Sequence, residues 1–351
     1  MLGILSEQQL VALVGAFGGV WLGLAARIGR FCTLGAIEDV FYGDSTLRLR
    51  MWGVAIGVAV IGTFSLSAFG FLDLDQTLYL SREWNPVANV VGGLMFGYGM
   101  ALAGNCGYGA LARLGGGDLR SFVIVLVMGL SAYITLGGAL SAPRIWLFGS
   151  GADVTVMPGL ATGVSQITGI SAQTVGIFCG ILILIPTLAS KSMRRAHTHL
   201  IWGVVVGLAI VSGWAGTQWV AANGFAATPV ISHTFSAPLG ETMLYAMTSS
   251  GNTISFGTGS VLGVLIGAFV GSLLKGHFRW EACDDPRELG RQILGACLMG
   301  IGAVVTVGCS VGQGLSAFSV LAYSAPLVLG SIFVGAAIGL RQLILGFARG
   351  I

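Results

Sequence analysis

Apolar stretches of bilayer-crossing length recur along this chain, and they leave few folds open to it. A hydrocarbon core about 30 Å thick needs roughly 17 to 25 helical residues to span it. Nine runs of that kind cover about 8–28, 50–71, 86–104, 120–140, 172–190, 199–219, 256–274, 291–307 and 325–342. Charged residues make up only 9% of the chain, against about 25% in ordinary soluble domains. No water-facing surface for a globule of 36.1 kDa can be assembled from so few charges, whereas a lipid-facing surface needs none. The 57 glycines read as helix contacts or helix breaks, because helices in lipid associate through close backbone approach at small residues. The expected fold is therefore an all-α polytopic membrane protein. A net charge of +3 points to neither nucleic acid nor an acidic tail. The first run lacks a basic segment before it, so it reads as a retained span and not as a cleaved signal.

Four further stretches are too apolar for loops and too short to cross: 31–42, 106–116, 234–247 and 309–322. They read as re-entrant short helices, since backbone broken at membrane depth is tolerated only where protein buries it or where it lines a cavity.

The basic residues test the span count independently, because cytoplasmic loops carry the excess of Lys and Arg. Arg27, Arg30, Arg48, Arg50, Arg113, Arg120, Lys191, Arg194, Arg195, Lys275, Arg279, Arg287, Arg291, Arg341 and Arg349 all fall on one side of a nine-span arrangement. Only Arg82 and Arg144 fall on the other. One missed crossing would scramble that partition. It predicts an N-terminus outside and a C-terminus in the cytoplasm of a bacterial inner membrane.

The chain also repeats itself. Gly92, Gly97, Gly99, Cys106 and Gly109 fall on Gly295, Gly300, Gly302, Cys309 and Gly312 at one constant offset, and Phe31-Cys32 is echoed by Phe235-Ser236. The halves are about 1–140 and 195–345, joined by a linking segment of about 141–194 within a single membrane domain. Four spans per half and one between them turn equivalent segments over. Two inverted repeats are thus expected, an architecture that places substrate near the midplane where discontinuous helices meet.

Of the six cysteines, three stand at the expected breaks: Cys32, Cys106 and Cys309. Cys179 and Cys297 lie within spans and Cys283 in a charged loop. A free cysteine is ordinarily a small buried hydrophobe, and no CxxC spacing calls for zinc or a redox pair; no cofactor or metal is expected. Cys106 and Cys309, however, occupy equivalent places in opposed repeats, beside glycines that open the backbone. With Ser236 as the partner of Cys32, they form a line of weak S–H and O–H donors flanked by half-helix N-termini, which favour anions. Weak binding at successive points lets a substrate leave as well as enter.

At Gly29-Arg30-Phe31-Cys32, Gly104-Asn105-Cys106-Gly107-Tyr108-Gly109 and Gly308-Cys309-Ser310-Val311-Gly312-Gln313-Gly314, the chain resembles the YeeE/YedE family of membrane transporters for sulphur compounds. The resemblance runs over nearly the whole length. It implies a transporter, not an enzyme, with thiosulphate as the small sulphur anion and Cys32, Cys106 and Cys309 along its path; other sulphur or selenium compounds are also handled within the family. A small cytoplasmic TusA-like sulphur-carrier protein is the partner it implies besides the bilayer. Asn105, Ser310 and Gln313 flank the cysteines as weaker candidates, with helix capping as their ordinary role.

Other features weigh less. Glu38, Asp39 and Glu241 lie in re-entrant segments, where a carboxylate is a functional suspect by default. His197 and His199 form an HxH in a basic loop, a surface pair rather than a metal site. The outer acids Glu7, Asp73, Asp75, Glu83, Asp153 and Glu241 outnumber Arg82 and Arg144, so long-range steering of an anion is not supported. A membrane sulphurtransferase forming cysteine persulphides is the alternative from another class. Its thiolate wants a nearby base or cation, and in sequence no histidine adjoins the three cysteines, although Arg27 and Arg30 precede Cys32.

Overall fold

The computed structural model describes residues 6–82, 84–149, 159–282 and 285–348. The described residues fold into helices: α1 (Glu7–Arg27), α2 (Thr33–Tyr42), α3 (Leu47–Ala68), α4 (Pro86–Ala103), α5 (Gly107–Gly115), α6 (Leu119–Gly137), α7 (Ser141–Phe148), α8 (Leu160–Thr168), α9 (Ala172–Ala189), α10 (Lys191–Arg195), α11 (His197–Asn223), α12 (Ala237–Thr248), α13 (Phe256–Leu274), α14 (Pro286–Val305) and α15 (Ser324–Ala348), with a π-helical turn at Gly312–Ala317. Among the described residues, nine helices are long and apolar enough to cross a membrane: α1, α3, α4, α6, α9, α11, α13, α14 and α15. The third crossing continues past a break into α5, so that its apolar length runs Pro86–Gly115. The all-α polytopic fold is thus observed, with nine helices of spanning length and apolarity among the described residues.

The short helices lie at the expected re-entrant stretches. At about 1.5 Å per residue, the 10 residues of α2, 9 of α5 and 12 of α12 cover about half of the hydrocarbon thickness.

Hydropathy missed three things. Within the linking segment, the stretch ahead of the 172–190 run carries α7 and α8, both too short for a span-length criterion to find. The HxH at His197 and His199 does not sit in a loop but opens α11. Helices also start before their apolar runs: α14 begins at Pro286 behind the cap of Asp285, whose side chain accepts from Arg287 N–H at 2.8 Å. Caps set where a helix begins, whereas hydropathy reports only where it meets lipid.

Small residues set the packing, as lipid offers no hydrophobic drive between helices. Gly15, Gly19 and Gly23 of α1 run beside Gly259, Gly263 and Gly267 of α13, backbone against backbone. The pairs α1–α13 and α3–α11 are matched by α4–α15 and α6–α14. Exchanging first-half helices for their second-half counterparts turns each contact into another that is also present. At the centre, α1 meets α11, with Gly29 against Trp202 and Gly216 against Val14, and α4 meets α14, with Gly92 against Gly302 and Gly99 against Gly295. Both central pairs therefore run antiparallel. Helix α9 packs on α3 at the periphery: 17% of its apolar window is buried, against 61% for α13, which leaves α9 mostly to lipid.

Candidate functional site

One backbone device recurs at all three cysteines. A residue in the left-handed region ends the preceding helix and, two residues later, a cysteine caps the next one. The pairs are Arg30 (φ 55°) with Cys32, Gly104 (φ 76°) with Cys106, and Val307 (φ 57°) with Cys309. For glycine this costs little. For arginine and above all for β-branched valine it stores on the order of 1–3 kcal/mol, which the surrounding packing must hold.

Each cysteine sulphur then accepts the amide three residues on: Gly35 N–H at 3.4 Å for Cys32, Gly109 N–H at 3.4 Å for Cys106 and Gly312 N–H at 3.5 Å for Cys309. Cys309 also accepts from Phe235 N–H at 3.2 Å, and the Thr234 hydroxyl lies 3.7 Å away. With the sulphur lone pairs engaged by helix N-termini, each S–H is left to donate elsewhere.

The first half and the second meet here. The Thr33 hydroxyl donates to Ser310 Oγ at 3.0 Å and lies 3.9 Å from Cys106 Sγ. Ser310 is also within hydrogen-bond reach of Cys106, and Cys106 is the electrostatic neighbour of both Cys32 and Cys309. Cys106 and Cys309 are each 1% exposed, whereas Cys32 is partly exposed. Aromatic rings close the space around them. Phe31 stacks on Trp52 at 4.7 Å, and Tyr108 stands between Phe31 and Phe235, with ring centroids at 6.4 and 5.4 Å.

Cys32 opens onto a cavity of about 420 Å³ at the C-terminal end of α4. Arg27, Arg30, Arg48, Arg113, Lys275 and His277 line it, with Glu38 as its carboxylate. Arg27 is braced by Ser272 at 2.7 Å and Arg48 pairs with Asp39 at 3.2 Å. These basic residues were legible only as topology signals; their convergence on Cys32 is a tertiary fact. So is the presence of His277 in the same cavity as that cysteine, which no sequence neighbour announced.

The weaker candidates divide. Asn105 lines the same cavity, 1% exposed, with a side-chain oxygen that has no partner among the described residues. An unpaired buried group costs about 1–3 kcal/mol unless a ligand or water meets it. Ser310 stands at the junction just described. Ser236 does not copy Cys32: it is buried, no left-handed residue precedes it and its side chain makes no cap bond. Gln313 holds the backbone instead, donating to Thr306 O at 2.5 Å and accepting from Ser324 Oγ at 3.0 Å. Gln313→Leu is expected to lower stability by about 1–3 kcal/mol, read as a fall in unfolding temperature in detergent; an unchanged temperature would show that its bonds to Thr306 and Ser324 do not hold the break.

Away from the junction, Asp39 is occupied by Arg48, and Glu241 accepts from Ser255 at 3.0 Å. Cys179 and Cys297 are partly buried free thiols; Cys283 lies outside the described residues. Among the described residues no group of His, Cys, Asp and Glu could hold a metal ion.

Residues 28–338 match the sulphur transport family. The thiosulfate transporter TsuA of Spirochaeta thermophila is 26% identical over 328 residues, which are 91% of this chain and 94% of that protein. The thiosulfate transporter TsuA of Escherichia coli is 25% identical over 326 residues, 86% of each chain. Likeness on that scale spans both halves and every break, so it reflects a common fold and not a borrowed motif. The chain accordingly belongs to the sulphur transport (YeeE/YedE) family.

Proposed function

We propose that this protein takes up thiosulphate across the bacterial inner membrane, handing it between Cys309, Cys106 and Cys32. The observation that carries the reading is the repeated device: three thiols, each accepting the amide that opens the next helix, with Cys106 as the electrostatic neighbour of both others. A soft, doubly charged sulphur anion gains a weak S–H hydrogen bond and a helix N-terminus at each point. The basic cavity beyond Cys32 then draws it onward. Uptake of labelled thiosulphate into cells lacking other routes tests this; no uptake by well-expressed protein overturns it.

We read the two halves as inverted repeats, about 1–140 and 195–345 with 141–194 linking them, supported by the antiparallel central pairs and the exchangeable contacts. The basic cavity faces the cytoplasm in this reading, where a TusA-like carrier would collect the ion. Reporter fusions at Ala196 and at the C-terminus are expected to be cytoplasmic and one at Gly149 external. A single reversed site breaks the orientation.

The cations and His277 that line the cavity with Cys32 favour a second reading, a sulphurtransferase in which the Cys32 thiolate takes the outer sulphur of thiosulphate as a persulphide while the S–S bond breaks and sulphite leaves. Intact-mass measurement after thiosulphate exposure separates the two, since transport leaves the mass unchanged.

A further inference from the structure

We infer that a groove between α9 and α15 is a binding site for one anionic phospholipid, with Arg50 holding the phosphate and one acyl chain lying against α2 and α3. Helix α9 packs on α3 and α15 packs on α4, while α2 touches both α3 and α15. The space left between α9 and α15 is a cavity of about 590 Å³. Ile37, Ile56, Leu182, Ile183, Leu329 and Phe333 line its depth, and Arg50 is the one charged residue of its lining.

Where the groove lies decides what can fill it. Leu49 and Leu182 are exposed at its edge, and α9 has the least buried apolar window of the nine spanning helices, so the groove opens to lipid. From Arg50 to Ile56 it follows α3 for about 9 Å at 1.5 Å per residue, less than one leaflet's share of a hydrocarbon core about 30 Å thick. A chain that enters beside Arg50 therefore ends within its own leaflet.

Arg50 is braced but not neutralised. Its Nε donates to Thr46 Oγ1 at 3.1 Å and its Nη1 to the Pro186 carbonyl at 2.7 Å. Two of the five guanidinium N–H groups are used in this way. Among the described residues no carboxylate pairs with Arg50, and Asp39 of α2 belongs to Arg48. Thr46 precedes α3 without a side-chain cap bond, so the partial positive charge of a 22-residue helix end is directed to the same place. Free guanidinium N–H groups grip a phosphate by parallel bonds, and basic residues between membrane helices are where anionic headgroups settle.

Trp52 adds a second unmet donor. It is 4% exposed and lines the groove, and its indole N–H has no partner among the described residues. It stands about 3 Å deeper along α3 than Arg50, at the level where the ester carbonyls of a phospholipid follow its phosphate. Inward, the groove ends at Thr33, which donates to Ser310 Oγ at 3.0 Å and lies 3.9 Å from Cys106 Sγ. A lipid seated here walls the thiol junction on its bilayer side.

The test is native mass spectrometry of the purified protein, titrated in detergent with phosphatidylglycerol or with phosphatidylcholine of the same acyl chains. The wild type is expected to retain one phosphatidylglycerol at least fivefold more tightly than phosphatidylcholine. Arg50→Gln is expected to hold the two lipids within twofold of each other. Leu182→Trp, which fills the groove from an exposed position of α9, is expected to weaken retention of phosphatidylglycerol at least fivefold. Equal retention of the two lipids by the wild type, an undiminished preference in Arg50→Gln, or a dimer that carries no lipid overturns the site. Should Arg50→Gln fail to fold, Leu182→Trp decides: unchanged retention of phosphatidylglycerol ends the proposal.

Discussion

Cys106→Ala and Cys309→Ala are each expected to cut thiosulphate uptake by about 10- to 100-fold, the loss of one hydrogen bond to a charged group at about 1.5–3 kcal/mol. Both thiols are buried where the halves meet, and the hydroxyls beside them, Thr33 and Ser310 at Cys106 and Thr234 at Cys309, offer oxygen and not the soft sulphur donor. Cys179→Ala and Cys297→Ala are expected to keep uptake within about twofold, because partly buried packing thiols cost about 1 kcal/mol of stability at most; Cys283→Ala is expected to do the same.

Alanine also removes a helix cap, worth about 0.5–2 kcal/mol, and misfolding would imitate lost transport. The serine variants answer that. In Cys309→Ser a hydroxyl can still accept from Gly312 and Phe235 N–H, so the fold is retained while sulphur is removed. Cys32→Ser is informative in its own way, since Cys32 is partly exposed and lines the basic cavity. Retained uptake there means any small donor serves; lost uptake means sulphur is required. If Cys106→Ala and Cys309→Ala both transport at the normal rate, the relay is wrong and only the family assignment stands.

Gly97→Val and Gly259→Val are expected to damage the fold itself. A Cβ at Gly97 meets the carbonyl of Ile332 in α15, and one at Gly259 meets the carbonyl of Ala12 in α1. Neither neighbour is a flexible side chain, so relief requires whole helices to move apart. Overpacking of this kind costs about 1–3 kcal/mol, and more where backbone must shift. The measurement is the unfolding temperature and the fraction of monodisperse protein in detergent, both expected to fall for each variant. Gly330 is the control: nothing stands within 4 Å of its added Cβ, and Gly330→Ala is expected to be neutral or slightly stabilising, because alanine favours helix. Equal unfolding temperatures for Gly97→Val and Gly330→Ala would show that close backbone approach does not hold α4 to α15.

The two predictions probe different layers. The cysteine variants should fold and fail to transport, whereas the glycine variants should fail to fold. Purified Cys309→Ser with normal unfolding and impaired uptake would separate site from scaffold in one protein.

Sequence alone determined the nine crossings, because the bilayer imposes a length on any apolar helix and one missed span would have scrambled the basic residues. It also determined where the helices break: Cys32, Cys106 and Cys309 sit at short apolar stretches flanked by glycine, at Gly29 and Gly35, Gly104 and Gly107, and Gly308 and Gly312. Local chemistry is enough for such features. What it left open depended on helices far apart in the chain. Arg27, Arg30, Arg48, Arg113, Lys275 and His277 line one cavity with Cys32 only because the ends of α1, α5 and α13 and the start of α3 meet, and the positive-inside pattern masked that role behind topology. Ser236 was paired with Cys32 by alignment, yet the backbone ahead of it takes no left-handed turn and its side chain caps nothing; a repeat in sequence preserves position, not conformation. Gln313 looked like a flanking donor and proved to hold Thr306 and Ser324. The tertiary structure decided these points because a polar side chain's role is set by which partners reach it: Thr33 meets Ser310 of the opposite half, whereas Gln313 finds Thr306 and Ser324 across the break within its own.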